Sequence, residues 1–126
     1  QVLFDLQTIK EDEKAIILFR KLLKLPIDPV QSREIMFWLA DSFKALKQYE
    51  RAALLYLQSA MLPGPETMDP WAQTARFSAA ESLQKAGHVD DARRILQSLL
   101  AITKEPTRRS VLRHKIQQLW LTQSID

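Results

Sequence analysis

The chain has no cysteine and only two glycines in 126 residues. Without cysteine there is no disulfide framework, no thiolate metal site and no Cys nucleophile, so stability must come from packing. That absence leaves the compartment open, because helical proteins in oxidising compartments also fold without disulfides. Two glycines starve tight hairpin turns of the residue they most need, and the abundant Leu, Ala, Gln, Lys and Arg favour helix. Neither glycine stands in a phosphate-cradling pattern, so nucleotide binding has no support. No apolar run approaches the ~18 residues of a membrane span, and no stretch reads as a signal peptide. What is present is a 46% hydrophobic chain long enough for one continuous core and too short for two. The expectation is one all-α domain. Because it opens at Gln1 inside the apolar stretch Val2-Leu3-Phe4, it is expected to be a segment of a longer protein.

Asp28-Pro29 and Asp69-Pro70 each read as an N-cap followed by a proline at the first helical position, where the missing N–H costs nothing. From Pro29 to about Leu46 and from Pro70 to about Ala86, apolar residues recur at helical spacing, with Ala40 and Ala80 where helices must approach closely. Gly87 is expected to end the second of these as a left-handed cap, Val89 to start a return helix to about Thr103, and Asp90 to cap it. The matching return helix runs from Tyr49 to about Leu62 and is stopped by Pro63-Gly64-Pro65, with a loop to Met68. Lys14–Leu25 reads as the second helix of a preceding unit. Val2, Leu3 and Leu6 would then be the remnant of its first helix, with Thr8 to Glu11 as a capping box. Pro106 opens a last helix whose apolar stripe is Leu112, Ile116, Leu119 and Trp120. The chain thus divides into a partial repeat (1–27), two repeats (28–68 and 69–105) and a capping helix (106–126) that closes the core against water.

One pattern is written twice. The run Leu39-Ala40, Phe43, Tyr49, Ala52, Tyr56, Pro63 is followed by Ala79-Ala80, Leu83, Gly87, Val89, Ala92, Leu96, Pro106. In the first copy the spacing, large–small, aromatic, then Ala with an aromatic one turn later and a closing Pro, resembles the tetratricopeptide repeat, and the marker alanines Ala52 and Ala92 lie slightly further apart than the ~34-residue unit. Met36 and Arg76 stand where the usual tryptophan would be, Lys47 replaces the glycine before the first return helix, and Pro106 closes the second copy late. The resemblance implies a right-handed superhelix of antiparallel helix pairs and a non-enzymatic protein-interaction module or scaffold, with a protein or peptide partner. It further implies a concave groove lined by the inner faces of the first helices: Glu34, Phe37, Asp41, Lys44 and Ala45, then Thr74, Phe77, Glu81, Gln84 and Lys85. Phe37 and Phe77 stand where the family's carboxylate clamp uses a polar donor, and Asp41 and Glu81 where it uses Asn, so a C-terminal carboxylate is not the expected ligand. Two aromatics beside two carboxylates suit an apolar peptide carrying a basic residue. The competing reading makes the aromatics inter-repeat core and the carboxylates a solvated face.

The net charge of +3 is more than accounted for by residues 104–115, where Lys104, Arg108, Arg109, Arg113 and Lys115 face one acid, Glu105. Arg108, Arg109, Arg113 and Lys115 form a basic patch that would suit phosphates. No aromatic interleaves it as a single-strand binder needs, so neither nucleic acid nor membrane is the expected partner. A structural spacer and an electrostatic binder of anionic polymer or membrane stay as rival readings. His88 and His114 lie on different elements with no ligand spacing, and no nucleophile-elbow pattern occurs, so neither a metal, a cofactor nor catalysis is expected.

Overall fold

The computed structural model describes residues 2–64 and 66–125, with side chains described for 11–64 and 66–121. It contains six helices, α1 (Val2–Leu23), α2 (Pro29–Ala45), α3 (Tyr49–Ala60), α4 (Pro70–Lys85), α5 (Val89–Ile102) and α6 (Pro106–Ile125), and no strand among the described residues. Each helix packs chiefly on its neighbours in the chain. Short connections make successive helices antiparallel, which is the helix-pair repeat expected from the sequence. Pro65, part of the expected stop signal after α3, lies outside the described residues.

The helix starts follow from local chemistry. Asp28 Oδ1 accepts from the Gln31 N–H at 2.8 Å and Asp69 Oδ1 from the Ala72 N–H at 2.9 Å, each just before a proline at the first helical position. Before Pro106 the cap is Glu105, whose carboxylate accepts from the Thr107 N–H at 3.1 Å and the Arg108 N–H at 2.8 Å. At the other end of α4, Gly87 takes the left-handed φ of +93° that reverses the chain into α5. The same turn between α2 and α3 puts Lys47 at φ 62°. A side chain in that region costs roughly 1–2 kcal/mol, partly offset in a Gly variant by the greater freedom of its unfolded chain. Lys47→Gly is therefore expected to raise stability by about 0.5–1 kcal/mol in urea melts, and Gly87→Lys to lower it; a Lys47→Gly loss would refute the strain argument.

Two expectations need correction. The N-terminal segment is one continuous helix from Val2 to Leu23, not two joined at a capping box. Thr8 to Glu11 lie within it, and no proline or glycine interrupts the run, so extending a nucleated helix is favoured over stopping and nucleating another. The side chains of Val2, Leu3, Leu6 and Thr8 lie outside the described ones. In α6 the buried stripe is Leu112, Ile116 and Leu119, whereas Trp120 is 51% exposed and lies on the margin of that stripe under the Arg93 guanidinium, 4.0 Å from its ring centroid.

The core is continuous in type along the array. Ile16, Leu39, Ala40, Phe43, Ala52, Tyr56 and Ala79 form one cluster, and Ala80, Ala92, Leu96, Leu99, Leu112, Ile116 and Leu119 another. The alanines at the helix crossings are fully buried, which lets the backbones approach and leaves the larger residues to fill the flanks.

Candidate functional site

Of the groove residues read on α2, Glu34 and Lys44 are exposed, while Phe37 and Asp41 are committed to contacts inside the protein. The Phe37 ring lies 5.0 Å from that of Tyr56, 5.2 Å from Trp71 and 5.9 Å from Trp38. Asp41 accepts a hydrogen bond from the hydroxyl of Tyr56, which is buried. Burial first, then that bond and the charges of Asp41 and Glu81, hold the Tyr56 phenol far above its ordinary pKa, so it stays protonated and donates. On α4, Glu81 lies 3.5 Å from Lys115 of α6, and the Lys85 ammonium sits 5.6 Å from the centroid of the Tyr49 ring. The two carboxylates of the expected groove are thus gathered near one phenol, and the two phenylalanines stand in separate joints between repeats.

The basic helix is divided in the same way. Arg109 donates to the carbonyls of Leu100 at 2.8 Å and Thr103 at 2.9 Å, closing the C-terminal end of α5 where a cation suits the helix dipole. This accounts for an arginine near the start of α6, where it would otherwise oppose that helix's own dipole. Lys115 faces Glu81, and Arg108 and Arg113 remain exposed, roughly 140° apart around the helix. His88 occupies the N-cap position of α5 without a side-chain cap, its Nε2 3.1 Å from Glu50 Oε1. The N-cap position of α5 falls to His88 and not to the expected Asp90, which lies one residue inside the helix and pairs with Arg93 at 2.9 Å.

The two joints between first helices differ. Between α2 and α4, Trp71 fills the space: its indole N–H donates to Ser59 Oγ at 2.9 Å, its ring meets Phe37, and the Arg33 guanidinium lies 5.4 Å from its centroid. Ser59 in turn donates to the Arg33 carbonyl at 2.6 Å, and Arg33 reaches Asp69 at 2.7 Å. That contact and, more strongly, the Ala72 N–H hold the Asp69 carboxyl below its ordinary pKa. Between α4 and α6 the space is open, a cleft of about 290 Å³ lined by Phe77, Leu99, Thr107, Arg108 and Val111 among others. A second cleft of about 370 Å³ is lined by Lys47, Gln48, Glu50 and Arg51 with Tyr49 and Ala86, around the turn between α2 and α3. Trp71, Leu99, Thr107 and Val111 were absent from the groove read in the sequence. The signal was there in the first turns of α4 and α6, where Pro70-Trp71 and Pro106-Thr107 differ in the residue after the proline.

Residues 74–102, most of α4 and all of α5, match the family model for the tetratricopeptide repeat. Comparison with curated proteins and with solved structures gives no match. The chain is all-α among the described residues, and its α4–α5 pair is similar to the tetratricopeptide repeat, a class that in general serves protein–protein interaction.

Proposed function

We propose that this chain is an interaction module that seats a peptide or partner helix on the face shared by α4 and α6, with one apolar side chain of the partner entering the cleft beside Phe77. The observation that carries this reading is the apolar cleft itself, with Val111 at its edge 49% exposed. A pocket of apolar walls with a few polar groups is the usual form of a binding site. The groove expected from the sequence contracts accordingly. Phe37, Asp41, Glu81 and Lys85 are engaged within the protein, so the working set becomes Phe77 of α4 with Arg108 and Val111 of α6. A preference for a basic peptide loses its support, since Asp41 already accepts from Tyr56 and Glu81 already faces Lys115. The reading as an electrostatic binder is weakened too, because Arg109 and Lys115 are turned to internal partners.

Peptides selected from a random library against the chain test the proposal. Binding should shift the amide resonances of Phe77 and Val111, and Val111→Glu should weaken it about tenfold or more, the scale of a residue at the centre of an interface. Lys44→Glu, on the α2 face, should leave it unchanged. Shifts confined to Arg108 and Arg113, with affinity collapsing as salt rises, would transfer the function to the basic helix instead.

A further inference from the structure

The open cleft is the closed joint with one side chain missing. Trp71 and Thr107 hold the same place, each the residue after the proline that opens its helix. Phe37 and Phe77 are likewise equivalent, both lying three residues before an alanine of the buried small pair, Ala40 and Ala80. Ser59 and Leu99 stand at the same position of α3 and α5, counted from Tyr49 and Val89. In the first joint an indole packs between these positions and lies under a guanidinium. In the second the phenylalanine wall is kept, the floor changes from a hydroxyl to a leucine, and a threonine is too short to reach across. What remains is space for a ring.

Charge narrows the occupant further. Arg108 is the one charged residue among those lining the cleft, and its side chain makes no hydrogen bond or ion pair to the described residues. The nearby carboxylates are already engaged, Glu105 by the N–H groups of Thr107 and Arg108 and Glu81 by Lys115. The Glu105 carboxylate acts on Arg108 through space but accepts from two backbone N–H groups, so the Arg108 guanidinium keeps its own donors for an entering acidic group.

We infer that the cleft between α4 and α6 receives one aromatic side chain, Phe or Trp, from a partner peptide that carries Asp or Glu beside it. The ring takes the place in this joint that Trp71 takes in the preceding one, and the acid meets Arg108. The inference rests on the interaction-module reading and gives its site a chemical preference.

The experiment measures the fluorescence anisotropy of a dye-labelled, capped peptide with one Phe followed by two Glu, against versions with Phe→Ala, Phe→Leu and Glu→Lys. The parent peptide should bind, Phe→Ala and Glu→Lys should each weaken binding about tenfold or more, and Phe→Leu should weaken it measurably. Thr107→Trp should fill the cleft from within, leave the melting temperature equal or higher, and abolish binding. If that variant does not fold, Arg108→Glu, at an exposed position, and titration of the wild type with 3-phenylpropionate keep the test open. The first should lose the acidic peptide, and the second should shift Phe77 and Val111 amides. A Leu peptide binding as tightly as Phe, a Lys version binding as tightly as Glu, or a folded Thr107→Trp variant with undiminished affinity would each overturn the inference. Library peptides that shift Phe77 and Val111 but contain neither ring nor acid overturn it while leaving the interaction module standing; library binders that leave both residues unshifted overturn both. Cleft shifts that grow with protein concentration alone would make the occupant a second copy and overturn it as well.

Discussion

A chain ending at Glu105 should unfold at a far lower urea concentration and temperature than the full chain, with loss of most of its stability. Helix α6 covers the last repeat with Leu112, Ile116 and Leu119, of which Leu119 is completely buried. Burying side chains of this size is worth about 1.5–3 kcal/mol each, before the cost of ordering the helix, and removal also uncovers Leu96 and Leu99 beneath them. A domain of this size has a margin of about 5–15 kcal/mol. Arg109 adds a second loss, since its departure leaves the Leu100 and Thr103 carbonyls at the end of α5 without their donor. The graded version is Leu119→Ala, expected to cost about 2–5 kcal/mol by transfer and cavity together. Trp120→Ala should cost less, because that ring is half exposed at the margin of the stripe, where it meets the Arg93 guanidinium. Full stability in the shortened chain would refute the capping role of α6.

Replacing Tyr56 should be the most damaging single change in the first repeat. The side chain is completely buried between α2 and α4, so Tyr56→Ala is expected to cost about 3–5 kcal/mol, the range for deleting a buried ring. Tyr56→Phe keeps the ring and isolates the hydroxyl, whose bond to Asp41 is charge-assisted and worth about 1.5–3 kcal/mol. The pH dependence reports the buried, protonated hydroxyl, to which burial contributes first and the Asp41 bond second. The phenol is raised in the folded state, so above the ordinary tyrosine value of 10.0 the unfolded chain loses a proton that the folded chain keeps. Stability contributed by the protonated phenol is complete below pH 10 and declines as pH rises beyond it. Urea melts of the wild type from pH 8 to 11 should show that decline, and Tyr56→Phe should show a smaller one. Equal slopes would mean that the phenol is not held protonated by burial and Asp41 together.

The helix boundaries were legible because their signals are local. An aspartate, a proline and the N–H groups of one turn suffice to start α2 and α4, and a glycine suffices to reverse the chain after α4. The same locality explains the failures. Lys47 adopts the left-handed conformation without being glycine, because the packing of α2 against α3 imposes the turn and the side chain tolerates it. Thr8 to Glu11 look like a cap in isolation, yet a cap operates only if the helix actually begins there. Arg109 looks like part of a basic run until the end of α5 is brought beside it.

The candidate site divides along the same line. Phe37 and Phe77 are indistinguishable by repeat position, and a sequence reading assigns both to one groove. Their fates differ because each depends on residues far away in the chain: Phe37 meets Trp71, whereas Phe77 faces Thr107, and Ser59 and Leu99 set the two floors. The sequence by itself determined the all-α class, the helix starts, the repeat and its small crossing residues, since periodicity and capping act within a few turns. Only the tertiary structure decided which joint is filled and which is open, which carboxylates and cations are already paired, and which face of α6 is free. Those properties belong to meetings between helices, where the volume and charge of side chains from three separate segments add up in one place.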